Sequence, residues 1–169
     1  MQSAQAARTA GGDDTRAKRA TLLYYAAAAL ALAGLSDALY LTVLHLSGET
    51  ARCTVLTGCS EVLGSRYASL GGVPVAAFGV AAYFSAFSLA TLAASGYTFA
   101  PRLLALLVAV MCVVSLALVG VQAFVIRHFC EFCLLSAAVS FGLGTLVLLA
   151  RRTRGRSVSY SVHQAAERR

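Results

Sequence analysis

The chain consists of four long apolar runs separated by shorter polar connections. The first run, Thr21 to Leu46, is apolar for 26 residues, and a helix of that length crosses a hydrocarbon core of roughly 30 Å at about 1.5 Å per residue. Comparable runs extend over Val73 to Ser95, Pro101 to about Arg127, and Phe129 to Ala150. The pattern therefore predicts an all-α integral membrane protein, a bundle of four transmembrane helices.

The polar segments complete the predicted organisation. Residues 1–20 and 151–169 have no apolar period and are predicted as flexible tails on a single transmembrane domain, residues 21–150. The longest connection, residues 47–72, is too polar to span a membrane. Four apolar positions in its second half share one helical face and predict a short helix at the membrane interface: Val62, Leu63, Tyr67 and Leu70.

Composition and charge agree with this class and orient the bundle. A hydrophobic fraction of 59%, 12% charged residues and no Trp are unlike an ordinary soluble domain. The basic residues behind the net charge of +7 lie at the ends and connections, which does not indicate a nucleic-acid partner. Eleven of the 14 basic residues fall on the side of the tails, so both tails are predicted to be cytoplasmic. The 47–72 connection then faces the outer, oxidising side.

Four of the five cysteines fall on this predicted outer face. Cys53 and Cys59 lie in the long connection, and Cys130 and Cys133 open the fourth span. Cys112 lies in the third span, 18 residues before Cys130 and so roughly 27 Å away along a helix, whereas a disulfide needs Cα atoms about 5.5 Å apart. We therefore interpret Cys112 as a core residue and the other four as one set.

The spacing of Cys130 and Cys133 makes them neighbours on one face of a helix that begins there. A helix N-terminus and Arg127 both favour the thiolate form, which suits the pair to disulfide exchange. Because the fourth helix runs inwards, Cys133 is predicted to lie about 4.5 Å deeper than Cys130. This asymmetry predicts a relay in which a soluble thiol protein reduces the loop pair and the loop pair reduces Cys130. Cys133 then passes electrons to an acceptor dissolved in the bilayer, such as a quinone.

Two other uses of four cysteines remain open at this point. A zinc site usually has two short-spaced pairs in a water-exposed fold, whereas here the first pair is loosely spaced and the second opens a transmembrane helix. Two structural disulfides would need a small outer domain to stabilise, and the sequence predicts none. We expect redox chemistry and no metal.

Together these motifs resemble the vitamin K epoxide reductase family in its bacterial branch, over roughly Leu22 to Leu149. The residues that carry the resemblance are Cys53 to Cys59, Ser65, Gly71-Gly72-Val73-Pro74 and Cys130-Glu131-Phe132-Cys133. The resemblance implies a four-helix bundle around a quinone of the menaquinone or ubiquinone type, in the inner membrane of a bacterium. It also implies disulfide exchange with a thioredoxin-fold protein, which we expect to be a separate chain.

The resemblance also implies a role for each matching residue. Cys53 would exchange with the partner protein, and Cys59 would attack Cys130 to give a Cys59–Cys130 bridge that frees Cys133 to interact with the quinone. Ser65 matches a Ser or Thr near the family's active site, where its hydroxyl would bond the quinone or fix the loop; a simple cap on the loop helix is the alternative.

One departure from the family bears on the substrate. Ala137 stands four residues after Cys133, where animal members have the tyrosine that contacts vitamin K. We therefore expect disulfide-forming quinone reduction and keep epoxide reduction as an alternative. A conduit that sends reducing equivalents outwards is a further alternative, and it would need thiols reachable from the cytoplasm.

Three other residues are candidates for contact with the quinone. Asp37 lies within the first span, where a bare carboxylate costs about 2.5–3.5 kcal/mol on insertion scales. We expect Asp37 to be either a proton source for quinone reduction or the partner in a structural hydrogen bond with one of three neighbours: Ser36, Tyr40 or Gln122. Phe129 and Phe132 would pack on the quinone ring or, as aromatic residues at an interface often do, anchor the helix.

Overall fold

The computed structural model describes the backbone of residues 2–49, 58–65 and 67–167, and side chains mainly within 15–153. The helices are α1 (Gln2–Leu46), α2 (Cys59–Leu63), α3 (Val75–Ala94), α4 (Ala100–Val121) and α5 (Glu131–Glu167). A π-helical turn, Gln122–Ile126, continues α4, and two short strands, β1 (Ser69–Leu70) and β2 (Val73–Pro74), precede α3. Cys53, predicted to exchange with a partner, lies outside the described residues.

Four of these helices are long and apolar enough to cross a membrane. The candidate spans are Thr15–Leu46, Val75–Ala94, Ala100–Ile126 and Glu131–Thr153. This confirms the predicted all-α class, and the chain is a multi-pass membrane protein. The helical backbone also continues beyond the apolar runs: α1 begins at Gln2, before the first run, and α5 ends at Glu167, after the fourth.

Small side chains allow the helices to approach one another closely. The most extensive contacts of α1 are with α3 and α5, while α4 packs on α3 and α5. The residues with no exposed surface at these contacts include Ala27, Ala31, Ala86 and Ala90. Close packing of small residues is the main source of helix association in lipid, where the solvent is as apolar as the helix surface.

The outer connection differs from the prediction in its second half. The helix α2 ends at Leu63, and the chain then forms a hairpin in which Ser69 pairs with Pro74 and Leu70 with Val73. The two turn residues, Gly71 and Gly72, have φ of 60° and 84°. Positive φ at both central positions is what a two-residue type I′ hairpin requires, so the predicted helix through Tyr67 and Leu70 is wrong.

A second cluster of buried residues closes the end of the bundle at which α2 lies. It joins α1, α2 and the segment before α5 through Leu41, Cys59, Val62 and Cys130. The larger cluster, in the middle of the bundle and towards its opposite end, is made by the four long helices. Two of the predicted redox cysteines therefore meet inside the protein at one end of the bundle.

Candidate active site

Cys130 is held at the beginning of α5 by hydrogen bonds of its backbone. Its carbonyl oxygen accepts the N–H of Leu134 at 3.0 Å. Cys130 is therefore the N-cap residue of α5, whereas the sequence predicted that it lies within the helix. Its N–H donates to Oε1 of Gln122 at 3.0 Å, and both residues are buried. The preceding turn ends with Arg127 in the left-handed region at φ 59°. The π-helical turn thus fixes the position of Cys130.

The sulfur atoms of Cys59 and Cys130 lie 3.6 Å apart, and both side chains are buried. Cys59 is disulfide-bonded, whereas Cys112, Cys130 and Cys133 are free thiols. The 3.6 Å contact therefore joins a disulfide sulfur to a thiol. No Cys59–Cys130 bond is present in this redox state, and the predicted bridge stays a prediction.

Gly58 allows this approach of the two sulfur atoms. A Cβ at position 58 would lie 2.7 Å from the backbone oxygen of Phe129 and 2.9 Å from Cβ of His128. Any side chain would therefore push Cys59 away from the segment that bears Cys130. This role of Gly58 was not predicted, although its place directly before a cysteine is a signal that could have identified it.

The pKa of the Cys130 thiol is lowered from the ordinary value of 9.0 to about 7. The largest cause is the hydrogen bond with the Cys133 side chain, burial opposes it, and the backbone N–H groups of Cys133 and Phe132 lower it further. N–H groups of a first helical turn stabilise an anion in this way. Arg127, which the sequence suggested as a cause, is exposed. Cys130 is therefore the thiolate of the pair near neutral pH.

Cys133 lines a cavity of about 330 Å³ beneath α2 and the hairpin, with further lining residues on each of the four long helices. Neither Cys59 nor Cys130 is part of its wall. The wall is largely apolar, with side chains such as Leu41, Val62 and Met111. Cys130 is thus turned towards the loop cysteine Cys59, and Cys133 is turned towards the cavity. The predicted division of the pair by membrane depth stays a prediction.

Two of the four tentative ligand contacts lie on the cavity wall. Asp37 and Ser65 both line it. The Ser65 hydroxyl also donates to the carbonyl oxygen of Val62 at 2.7 Å, so it caps the end of α2 while facing the cavity.

Phe129 and Phe132 lie off the wall. Phe129 is 42% exposed, and the Phe132 ring packs on Tyr40 of α1 with the ring centroids 5.5 Å apart. Neither is among the residues that line the cavity, because Cys133 and not Phe132 occupies the face of α5 turned towards it. The structure does not support the prediction that these rings contact a ligand there.

A group of hydroxyls that the sequence pattern did not predict lies deeper in the cavity. The hydroxyl of Tyr83 donates to the carbonyl oxygen of Ser136 at 2.8 Å and lies 2.8 Å and 3.1 Å from Oγ of Ser136 and Ser140. The spacing of the two serines from Cys133, three and seven residues, places all three on one face of α5. That spacing was the available signal, whereas a tyrosine in an apolar span usually indicates a core residue.

The structure also describes the surroundings of Cys112 and of the side chains that could bind a metal. The Cys112 thiol donates to the carbonyl oxygen of Ser140 at 3.4 Å and packs at the edge of the main core. Within the part of the chain that the structure describes, there is no group of three or more His, Cys, Asp or Glu side chains that could hold a metal.

Comparison with known proteins agrees with this arrangement of spans and cysteines. The sequence profile described as the vitamin K epoxide reductase family matches residues 25–148. The match extends from the first span to the fourth and includes every cysteine of the set. Proteins of this family are membrane oxidoreductases that act with quinones. The chain therefore belongs to the vitamin K epoxide reductase family.

Proposed function

We propose that this protein is a thiol:quinone oxidoreductase of the family's bacterial branch, which supports disulfide-bond formation outside the cytoplasm. Electrons pass from a separate thioredoxin-fold protein to Cys53 and Cys59, then to Cys130 and Cys133, and finally to a membrane quinone. The observation that carries the proposal is the position of Cys130. It lies 3.6 Å from the sulfur of Cys59 and beside the cavity thiol Cys133.

The exchange begins when the partner's dithiol reduces the loop disulfide. The Cys59 thiolate attacks Cys130 of an oxidised Cys130–Cys133 pair, which forms a Cys59–Cys130 bond and releases Cys133. Cys53 then attacks Cys59, so the loop disulfide forms again and Cys130 is released as a thiolate. Two electrons have moved to the Cys130/Cys133 pair. The resulting state, with Cys59 in a disulfide and both α5 cysteines free, is the state of this structure.

The cavity suits the ring of a menaquinone or ubiquinone. Its volume of about 330 Å³ is within the range of small-molecule sites, which are mostly apolar with a few polar groups that fix orientation. Asp37 and Ser65 are the proposed polar contacts, with Cys133 at the reacting edge. Phe129 and Phe132 are proposed instead to anchor the outer end of α5.

The charge distribution supports an orientation. Eleven of the 14 basic residues lie on the side of the two tails, so we place residues 1–20 and 151–169 in the cytoplasm and the cysteines at the outer face of a bacterial inner membrane.

Epoxide reduction, the alternative activity, gains no support from the cavity. Ala137 lines it and offers no hydroxyl at the position of the animal tyrosine.

Turnover of purified protein with a soluble dithiol and a short-chain quinone tests the proposal. Replacement Cys133→Ala removes the thiol that faces the cavity, so quinone reduction should fall to background. The matched control is Cys112→Ala, which removes a thiol outside the cavity wall and should leave turnover within about twofold of wild type. Quinone reduction by Cys133→Ala at the wild-type rate would refute the mechanism.

A further inference from the structure

Reduction of a quinone consumes two protons as well as two electrons, and the cavity must supply them away from bulk water. We propose that Asp37 is a catalytic residue that delivers one of these protons to a quinone oxygen. The inference rests on the proposed function and deepens it, because it assigns the acid of the reaction to one side chain.

The residues along the cavity wall leave few candidates for such an acid. The described side chains that line it and exchange protons are Asp37, His45, Tyr67, Tyr83 and Cys133. His45 and Tyr67 are exposed, and the hydroxyl of Tyr83 is already bonded to Ser136. Asp37 is thus the one carboxylic acid among the described residues of the wall.

The carboxyl group of Asp37 has an atom for which the protein provides no partner. Its Oδ2 is buried and makes no hydrogen bond with any residue that the structure describes. Buried polar atoms are normally paired, because a buried atom left unpaired loses its hydrogen bonds with water and gains none in return. A group that bonds only the substrate or water during the reaction would account for this cost.

The structural role considered for Asp37 is not observed. The hydroxyl of Ser36 donates to the carbonyl oxygen of Leu32 at 3.0 Å, and Oε1 of Gln122 accepts the N–H of Cys130. The third possible partner, Tyr40, packs its ring on Phe132. A hydrogen bond that fastens α1 to its neighbours through Asp37 is therefore absent among the described residues.

Asp37 lies at the depth where the reaction would occur. Four residues further along α1, Leu41 contacts the cluster of Cys59 and Cys130. Three residues earlier, Gly34 packs on the Tyr83 ring, because a Cβ there would lie 2.5 Å from Cε1 of Tyr83. Tyr83 is in turn bonded to Ser136. Asp37 therefore lies at a depth between Cys130 and Ser136, which is the level of Cys133 on α5.

The proposed step balances in atoms and charge. The Cys130 thiolate attacks the sulfur of Cys133, the two sulfur atoms become a disulfide, and two electrons pass to the quinone. One proton comes from the Cys133 thiol and the other from the Asp37 carboxylic acid, giving the quinol and the Asp37 carboxylate. The carboxylate then regains a proton from water, which balances the net proton that the loop dithiol released when it reduced the Cys130–Cys133 pair.

Isosteric replacement separates proton delivery from binding. In Asp37→Asn the shape is kept and the acid is lost, so kcat for a short-chain naphthoquinone should fall about 100-fold or more while KM changes less than about twofold. Asp37→Glu should recover most of the rate. The control Ser36→Ala alters the neighbouring residue, which bonds only to its own helix, and should match wild type. Oxidation of the α5 thiols by diamide, which needs no acid in the cavity, should proceed in all variants and shows that the thiol pair itself still reacts.

A second measurement does not depend on turnover. In the Cys133→Ala background the naphthoquinone binds without being reduced, and the infrared C=O band of a protonated carboxyl should shift when it is added. The shift should be absent after the further change Asp37→Asn.

The outcomes distinguish this inference from the proposed function. Wild-type protein that reduces no quinone would overturn the proposed function itself. Normal kcat in Asp37→Asn, or no band shift in a variant that binds the naphthoquinone, would overturn the role of Asp37 and leave the thiol:quinone relay intact. If Asp37→Asn fails to fold, two measurements still test the role of Asp37. The Cys133→Ala protein should show the band shift, and Asp37→Glu should keep most of the wild-type rate; failure of either would overturn the role.

Discussion

At the scale of single residues, the chemistry depends on unequal surroundings for two similar thiols. Cys130 is the N-cap residue of α5 and accepts hydrogen bonds at the sulfur from the first turn, while Cys133 lies within that turn and donates its S–H. The sequence predicted a pair on one helix face and a division by depth. It could not predict that the Cys133 thiol, rather than Arg127, has the largest effect on the pKa of Cys130, because that depends on side-chain positions within one turn.

The lowered pKa of Cys130 gives a direct prediction. In protein with an oxidised loop, the ultraviolet absorbance of the thiolate should appear with a midpoint near pH 7, since the pKa is about 7. Below that pH Cys130 is protonated and exchange with Cys59 should slow. Replacement Cys133→Ala removes the S–H donor, so the midpoint should move up towards the ordinary 9.0. An unchanged midpoint in that variant would show that Cys133 does not stabilise the thiolate.

At the scale of elements, hydropathy alone predicted the four spans, because each is a continuous apolar run of the required length. The connections were harder to predict. Whether Gly71 and Gly72 end a helix or form a hairpin depends on the pairing of Ser69 with Pro74, which a helical pattern of apolar positions does not reveal. The bond from Tyr83 to Ser136 joins residues 53 positions apart. Such contacts follow from the packing of helices and not from local sequence.

Gly58 provides a prediction at this scale. In Gly58→Ala the new methyl group would meet the backbone of Phe129 at 2.7 Å, so α2 must move and carry Cys59 away from Cys130. We expect exchange between the loop and the α5 cysteines to slow by about tenfold or more, since small misplacements of reacting groups cost rates of this order. The control is Gly120→Ala, where a Cβ would meet nothing within 4 Å. Equal exchange rates in the two variants, measured by quenched-flow alkylation, would contradict this role of Gly58.

At the scale of the whole molecule, the bundle brings a loop and a helix end that are 71 residues apart in sequence to a sulfur–sulfur distance of 3.6 Å. Gly58 allows this closeness, and Cys133, in the first turn of the same helix, lines the cavity to which we propose that the electrons pass. The sequence predicted which cysteines form the set and on which face they lie. The contact itself arises from the fold, because it requires α2 to lie over the end of the bundle.

The central claim, that Cys59 and Cys130 are the atoms through which the loop and the α5 pair exchange, is tested most directly by a mass-spectrometric disulfide map of a Cys53→Ala variant. This variant lacks the thiol that would resolve the intermediate, so the mixed disulfide should accumulate. We predict a Cys59–Cys130 linkage together with a free Cys133. A Cys59–Cys133 linkage, or Cys59 bonded to neither cysteine of α5, would contradict the account.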